Sequence, residues 1–337
     1  MEKKVLVTGG LGFIGRHLVD LLLARGDSVR ILDIAEPNNP LPGVEYINGS
    51  IVDRDIVNRS LKEVQIVFHL AAKAGLWTSH KSEFISVNQL GTKNVLEAAL
   101  ATPTIEKVIH TSTESILKSY RHRHYQTKID ESVKLTLEDM PGPYCQGKFL
   151  AEQEAFKAVT MGLPVVIVNP TVPLGPGDYR LTPPSRMILG FLNGNYPAFL
   201  DCILNVIDVR DVAMGHLLAQ EKGKIGERYI LGNTNLQLSE LLATLAELTG
   251  LEMPKRRIPY WLALTVSIVQ EFIADRLTHQ PPAASLTGVR LARTPLLFDN
   301  TKAKQELGLN CRSLQESLLD AIEWYQQQNL LQRQPIK

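Results

Sequence analysis

Three cysteines in 337 residues (Cys145, Cys202 and Cys311) are too few and too scattered for a disulfide framework, and they fit a reducing compartment. Nor do they make a metal-ligand cluster. The Arg121-His122-Arg123-His124 stretch has no acid or thiol beside it and reads as a solvated loop, so no metal is expected. Neither sign of charge prevails: 36 Lys and Arg against 35 Asp and Glu leave a net charge of +1, which gives no reason to expect a nucleic-acid partner. No uninterrupted run of about 18 apolar residues occurs, so no bilayer-spanning helix is expected. Internal repeats and low-complexity tracts are also missing. The chain enters a strand within its first residues, which leaves little room for a secretory leader and makes a cytoplasmic enzyme the expectation.

What is present begins at once. Lys3 to Thr8 (KKVLVT) reads as a short buried strand, Gly9-Gly10-Leu11-Gly12-Phe13-Ile14-Gly15 follows, and Arg16 to Arg25 has apolar residues at helical spacing. Strand, glycine turn, helix is the context that gives a glycine pattern meaning. Gly9 permits the tight turn, Gly12 lets backbone approach a pyrophosphate, and Gly15 lets helix and strand pack closely. The helix N-terminus adds unpaired N–H groups that favour phosphate. A dinucleotide site is expected, with Phe13 and Ile14 beside it.

Strand and helix then alternate. Ser28 to Asp33 is a second strand ending in an acid; a carboxylate there suits both adenosine ribose hydroxyls and repels a 2′-phosphate, so Asp33 favours NAD over NADP. Val44 to Asn48 is a third strand, with Ser50 and Ile51 following it where adenine would lie. Val64 to Leu70 is a fourth, and the small pair Ala71-Ala72 leaves space for a flat cofactor. A long helix is expected over 82–101, with Asn88 facing the loop after strand four. Val108 to Thr113 is a fifth strand ending in three hydroxyls, Thr111, Ser112 and Thr113, at the sheet edge where ligands bind in such folds. Leu163 to Val168 is a sixth, running into Asn169-Pro170-Thr171-Val172. These alternations predict an α/β doubly wound parallel sheet over 1–176. Residues 177–337 are expected to form mainly a smaller mixed α/β substrate lobe and C-terminal helices, with 204–221 returning to the main sheet.

Between strands five and six lies Gly142-Pro143-Tyr144-Cys145-Gln146-Gly147-Lys148, the start of a helix with proline in its first turn. Tyr144 and Lys148 are four apart and share a helix face. An ammonium beside a phenol lowers its pKa, which would make Tyr144 a general acid/base near neutral pH. Tyr260 to Ala274 (YWLALTVSIVQEFIA) is a very apolar helix, too short to cross a bilayer. It reads either as a buried helix or as an interfacial one touching a membrane surface or lipidic substrate.

Together, Thr8-Gly9-Gly10-x-Gly12-Phe13-Ile14-Gly15, the Thr111-Ser112-Thr113 strand end and Tyr144-x-x-x-Lys148 resemble the extended short-chain dehydrogenases/reductases, which include the NAD-dependent sugar epimerases and dehydratases. The likeness covers essentially the whole chain, through His69-Leu70-Ala71-Ala72, Val87-Asn88-x-x-Gly91-Thr92 and Asp299-x-x-Lys302. Gly162 to Pro170 and Gly226 to Gly232 look like the hopanoid-associated sugar epimerases and the dihydroflavonol 4-reductase branch. The resemblance implies that Tyr144 is the catalytic acid/base, that Lys148 tunes it and holds the nicotinamide ribose, and that Thr113 binds the substrate oxygen. It also implies cofactor contacts from Leu70, Ala71, Ala72, Asn88, Thr111, Asn169 and Pro170, and substrate contacts from Ser112 and Val172. A homodimer through helices 82–101 and 143–161 is implied as well.

Glu114-Ser115 stands where sugar-nucleotide dehydratases carry an acidic pair, so dehydration is not expected. Val172 stands where many nucleotide-sugar epimerases place an asparagine. The activity expected is that of an epimerase on a sugar, nucleotide-linked or lipid-linked, with a net reductase/dehydrogenase of the dihydroflavonol or sterol type as the alternative. A catalytically idle dinucleotide-binding scaffold is the third reading, and the intact Tyr144 and Lys148 weigh against it.

Overall fold

Each strand of the main sheet sends alternate residues to opposite faces, and the two faces carry separate cores. In β1 (Lys4–Thr8), Val5 and Val7 join the core on one side while Leu6 joins the core on the other; all three are fully buried. The computed structural model describes residues 2–121, 128–293 and 297–332. The Arg121-His122-Arg123-His124 stretch falls largely outside them.

Six further parallel strands complete the sheet: β2 (Ser28–Asp33), β3 (Glu45–Asn48), β4 (Ile66–His69), β5 (Lys107–Thr111), β6 (Val165–Pro170) and the strand Arg228–Leu231. Their spatial order is Arg228–Leu231, β6, β5, β4, β1, β2, β3. The order reverses between β1 and β4, and a crevice opens there at the carboxyl ends of the strands. Helix α1 (Phe13–Arg25) and the helix Val209–Lys222 pack together over one face. The helices Arg54–Ser60, Thr92–Leu100 and Pro143–Thr160 cover the other. This is a doubly wound, Rossmann-type sheet.

Two expectations are corrected. Strand Ile203–Asp208 does not return to the main sheet; it pairs with Thr234–Gln237 and Val172–Leu174 in a separate three-stranded sheet, and only the helix after it packs on the main layer. The vacant edge beside β6 is taken by Arg228–Leu231, whose Tyr229, Ile230 and Leu231 are fully buried. The helix expected over 82–101 is broken by a π-turn, Ser86–Gly91, between Glu83–Ile85 and Thr92–Leu100. That widened turn carries Asn88, whose amide bonds both backbone groups of Lys73.

The smaller lobe has its own core, where helices Pro183–Leu192, Leu238–Thr249 and Leu314–Gln327 close over Leu174, Val206 and Leu236. Among the described residues, no helix is long and apolar enough to cross a membrane.

Candidate active site

The main crevice is a cavity of about 570 Å3 that runs from the glycine turn, past the end of β5, to the smaller lobe. Gly9 has φ of +72°, and a Cβ on it would lie 2.8 Å from the backbone of Ala71, so the turn and the strand-four loop touch through glycine alone. A Cβ on Gly15 would overlap the carbonyl of Gly9, which fixes how closely α1 starts against the turn. Gly12, Phe13 and Ile14 line the same end, with Ser50 and Ile51 across from them and Leu70, Ala71 and Ala72 forming the floor.

Asp33 ends β2 almost fully buried. Its carboxylate accepts from the backbone N–H of Leu11 at 3.1 Å and of Ala35 at 3.0 Å. Arg180, on the loop before helix Pro183–Leu192, reaches across to it at 3.3 Å and is itself half-exposed. The open glycine cradle and the buried carboxylate fit a dinucleotide with free ribose hydroxyls.

At the centre, helix Pro143–Thr160 presents Tyr144 and Lys148 beside the end of β5. The Tyr144 ring stacks edge-on against Phe84, with centroids 5.8 Å apart, and its phenol faces the Thr113 hydroxyl. Thr113 also meets the Ser115 hydroxyl at 3.1 Å. Lys148 is buried, and its ammonium donates to the Thr111 carbonyl at 2.7 Å. Burial pushes the lysine down to about 8, against the pull of Glu152 one turn on. The expected lowering of the Tyr144 pKa is not found in this arrangement. Desolvation holds the phenol above its usual range and outweighs the opposing pull of the Thr113 hydroxyl, while the lysine charge is directed to a backbone carbonyl.

Ser112, Thr113, Val172 and Pro170 line the cavity as expected, and Thr111 reaches it too. The Thr111 hydroxyl, however, pairs with His216 Nε2 at 2.9 Å, away from the cleft. Asn88 and Asn169 are not in the lining. Asn88 clamps Lys73, and the Asn169 amide donates to the Thr113 carbonyl at 3.1 Å and to Glu152 at 2.9 Å. Both asparagines hold the frame behind the cleft.

The far half of the cavity went unread in the sequence. Leu76, Met187, Ile203, Leu204, Leu291 and Ala292 form it, with Cys202 and the ion pair Glu114–Lys118 at 3.0 Å. These residues come from five separate segments, and no local motif links them. Arg180 had a faint signal: it follows the Gly175-Pro176-Gly177 turn just beyond β6, near the sheet edge where ligands bind. A second cavity of about 590 Å3, beside His17 and Arg312, contains none of the predicted site residues.

The cleft thus offers a dinucleotide cradle on one side and a hydroxyl, a phenol and an ammonium on the other, which is the equipment of a Rossmann-type enzyme of alcohol and ketone chemistry. The chain belongs to the NAD-dependent epimerase/dehydratase family, whose model matches residues 5–232. It is 39% identical over 336 residues to a Synechocystis sp. protein named for a dihydroflavonol 4-reductase activity, covering 97% of this chain and 96% of that one. It is 29% identical to sterol demethylase protein B of Methylococcus capsulatus, covering 97% and 99%. Among solved structures it superposes on gox2253 with a TM-score of 0.84 at 33% identity, covering 98% and 100%. At 24% identity it shares the fold of the Streptomyces venezuelae dTDP-glucose 4,6-dehydratase DesIV, solved with NAD bound, with a TM-score of 0.77 and 96% of each chain covered.

Proposed function

We propose that this enzyme interconverts a ketone and a secondary alcohol on a lipophilic carbon skeleton, as a net reductase/dehydrogenase using NAD in preference to NADP. The carrying observation is the apolar far half of the cleft. A nucleotide-sugar brings a diphosphate that needs cations, yet among the described lining residues Lys118 is paired with Glu114 and Arg180 with Asp33, while Lys148 sits on the Thr111 carbonyl. Leu204, Leu291 and Met187 would instead bury hydrocarbon. The names of the two relatives, for a dihydroflavonol and a sterol activity, agree with this reading.

The residues divide the work. The Gly9–Gly15 cradle and Asp33 would hold NAD, which when bound would supply the hydride acceptor or, when reduced, the donor. Thr113 and Tyr144 hold the substrate oxygen between a hydroxyl and a phenol. A phenol kept neutral by burial is prepared to give its proton, which suits protonation of the developing alkoxide during reduction. Lys148 keeps a positive charge behind them, and Glu152 with Asn169 braces the strand end.

The epimerase alternative uses the same three groups and returns hydride to the other face of a transient ketone, so its cofactor stays in place. The two separate in one experiment. Protein purified without added cofactor is denatured and the released dinucleotide identified, and the native enzyme is then given NADH with lipophilic ketones or, separately, NAD with nucleotide-sugars. Exchangeable cofactor and net NADH oxidation with the ketones are expected. Stoichiometric retained NAD, with isomerised sugar and no net NADH turnover, would overturn the reading in favour of the epimerase.

A further inference from the structure

Helix Tyr260–Ile273, continued by the π-turn Ala274–Thr278, has its polarity turned inside out. A helix on a globular surface ordinarily buries its apolar stripe and shows its charges to water. Here the buried face is Ala263, Ser267, Glu271 and Ala274. Glu271 and Asp275 both turn inward to Lys81, and Glu271 also accepts from the Leu286 N–H while Asp275 accepts from the Trp77 indole. The outer face carries the large apolar residues: Trp261 is 67% exposed, Phe272 62% and Leu277 72%, with Ile268 and Val269 between them. No acid lies on that face. Exposed basic residues flank it instead: Arg256 before the first turn, beside Lys255 and Arg257, which pair with Glu252 and Asp201, and Arg276 near the last turn. Contiguous exposed apolar surface of this kind marks a contact with another phase or another molecule.

We infer that this helix docks the enzyme on an anionic membrane surface, lying in the plane of the headgroups with Trp261, Val269, Phe272 and Leu277 immersed and the basic ends on lipid phosphates. Its 14 helical residues span roughly 21 Å, too short to cross a hydrocarbon core of about 30 Å but sufficient to lie in the interface. The charge pattern selects the occupant. In a two-fold pair of antiparallel copies, the Arg256 end of one helix would meet the Arg276 end of the other, and like charges would oppose the pairing. Anionic headgroups satisfy both ends together.

The helix also packs on Leu286–Ala292, whose Gly288, Leu291 and Ala292 line the far half of the cleft, so one short helix stands between it and the apolar cavity. Docking itself does not depend on the proposed activity. Its consequence, entry of a lipophilic substrate from the bilayer side, rests on that activity.

The test is flotation of the full-length protein with vesicles of phosphatidylcholine alone or with about 30 mol% phosphatidylglycerol, a charge density that attracts basic segments. Wild-type protein is expected to rise with the anionic vesicles and to be released by salt. The Val269→Glu/Phe272→Glu double variant, altered only at exposed positions, is expected to lose at least ten-fold in bound fraction while keeping its melting temperature and cofactor binding. Wild type left at the bottom with both vesicle types would overturn the inference, as would unchanged flotation of the variant. A dimer in light scattering that the same variant splits to the 37.5 kDa monomer would assign the face to a second copy and overturn it too. Flotation involves no turnover, so its failure is separate from failure of the proposed reaction.

Discussion

The two halves of the cleft are built in different ways. The cofactor half is backbone-rich and local: Gly9 to Gly12 form a turn that runs directly into α1, and Asp33 is fixed by two neighbouring N–H groups. The substrate half is side-chain-rich and dispersed: Leu76, Met187, Leu204 and Leu291 come from distant segments and meet only after folding. A site that binds phosphate and ribose through backbone geometry constrains residue type at close spacing. A site that buries hydrocarbon asks only for apolar volume, which many residues supply. The first half therefore reports a cofactor class, and the second reports polarity.

Substitutions can break this contrast or sharpen it. The largest effect is expected at the seam between the halves. Tyr144→Phe should lower turnover by roughly 10^3-fold with little change in cofactor affinity, because the phenolic proton is lost while the glycine cradle stays whole. Steady-state NADH oxidation checks it, and turnover within a few-fold of wild type would remove Tyr144 from the chemistry.

In the cofactor half, Asp33→Ser should weaken NAD binding about 10- to 100-fold and narrow the preference over NADP, since a charged acceptor and its repulsion of a 2′-phosphate both disappear. Titration by fluorescence gives both affinities, and an unaltered NAD/NADP ratio would show that selectivity lies elsewhere. In the substrate half, Leu204→Ala should raise KM for a lipophilic ketone about 10-fold and leave NAD affinity untouched, from the lost methylene contacts. If cofactor affinity fell equally, the two halves would not be independent.

The smallest effect concerns the frame beneath both. His69 and His216 are buried and held neutral, pushed down to about 3 and about 4, and His110 beside His69 is also lowered by burial. The unfolded chain takes up protons on these rings below about 6.5, which the folded chain resists. Their contribution to stability is therefore complete above pH 6.5 and is lost as pH falls toward 4. A decline in melting temperature of about 6 °C per pH unit over that window is expected if all three rings resist protonation. His110→Leu should make the decline about a third less steep, because neither His110 ring nitrogen has a hydrogen-bond partner to lose among the described residues. A melting temperature flat from pH 7 to 4.5 would contradict the neutral assignment.

Much of this was legible before any coordinates. The glycine turn, the acid ending β2, the hydroxyls ending β5 and the tyrosine–lysine helix are each encoded within a few residues, and all of them reach one cleft. Asn88 and Asn169 show where local reading stops. Their positions near the strand ends were correct, but a side chain a single residue off the lining faces the frame and serves it. The Lys148–Tyr144 pairing shows a second boundary. Helical spacing put the two on one face, yet a nearby carbonyl, visible only in three dimensions, takes the ammonium.

The sequence by itself determined the doubly wound sheet, the glycine turn and the grouping of Thr113, Tyr144 and Lys148, because those depend on backbone conformation and on short, fixed spacings. Only the tertiary structure decided which strand closes the sheet, that the substrate half is apolar with its lysine neutralised, and that helix Tyr260–Ile273 turns its hydrophobic face outward. The reason is physical. Burial and pairing are relations between distant segments, and an apolar residue does not state in sequence whether it will meet a core, a ligand or a surrounding phase.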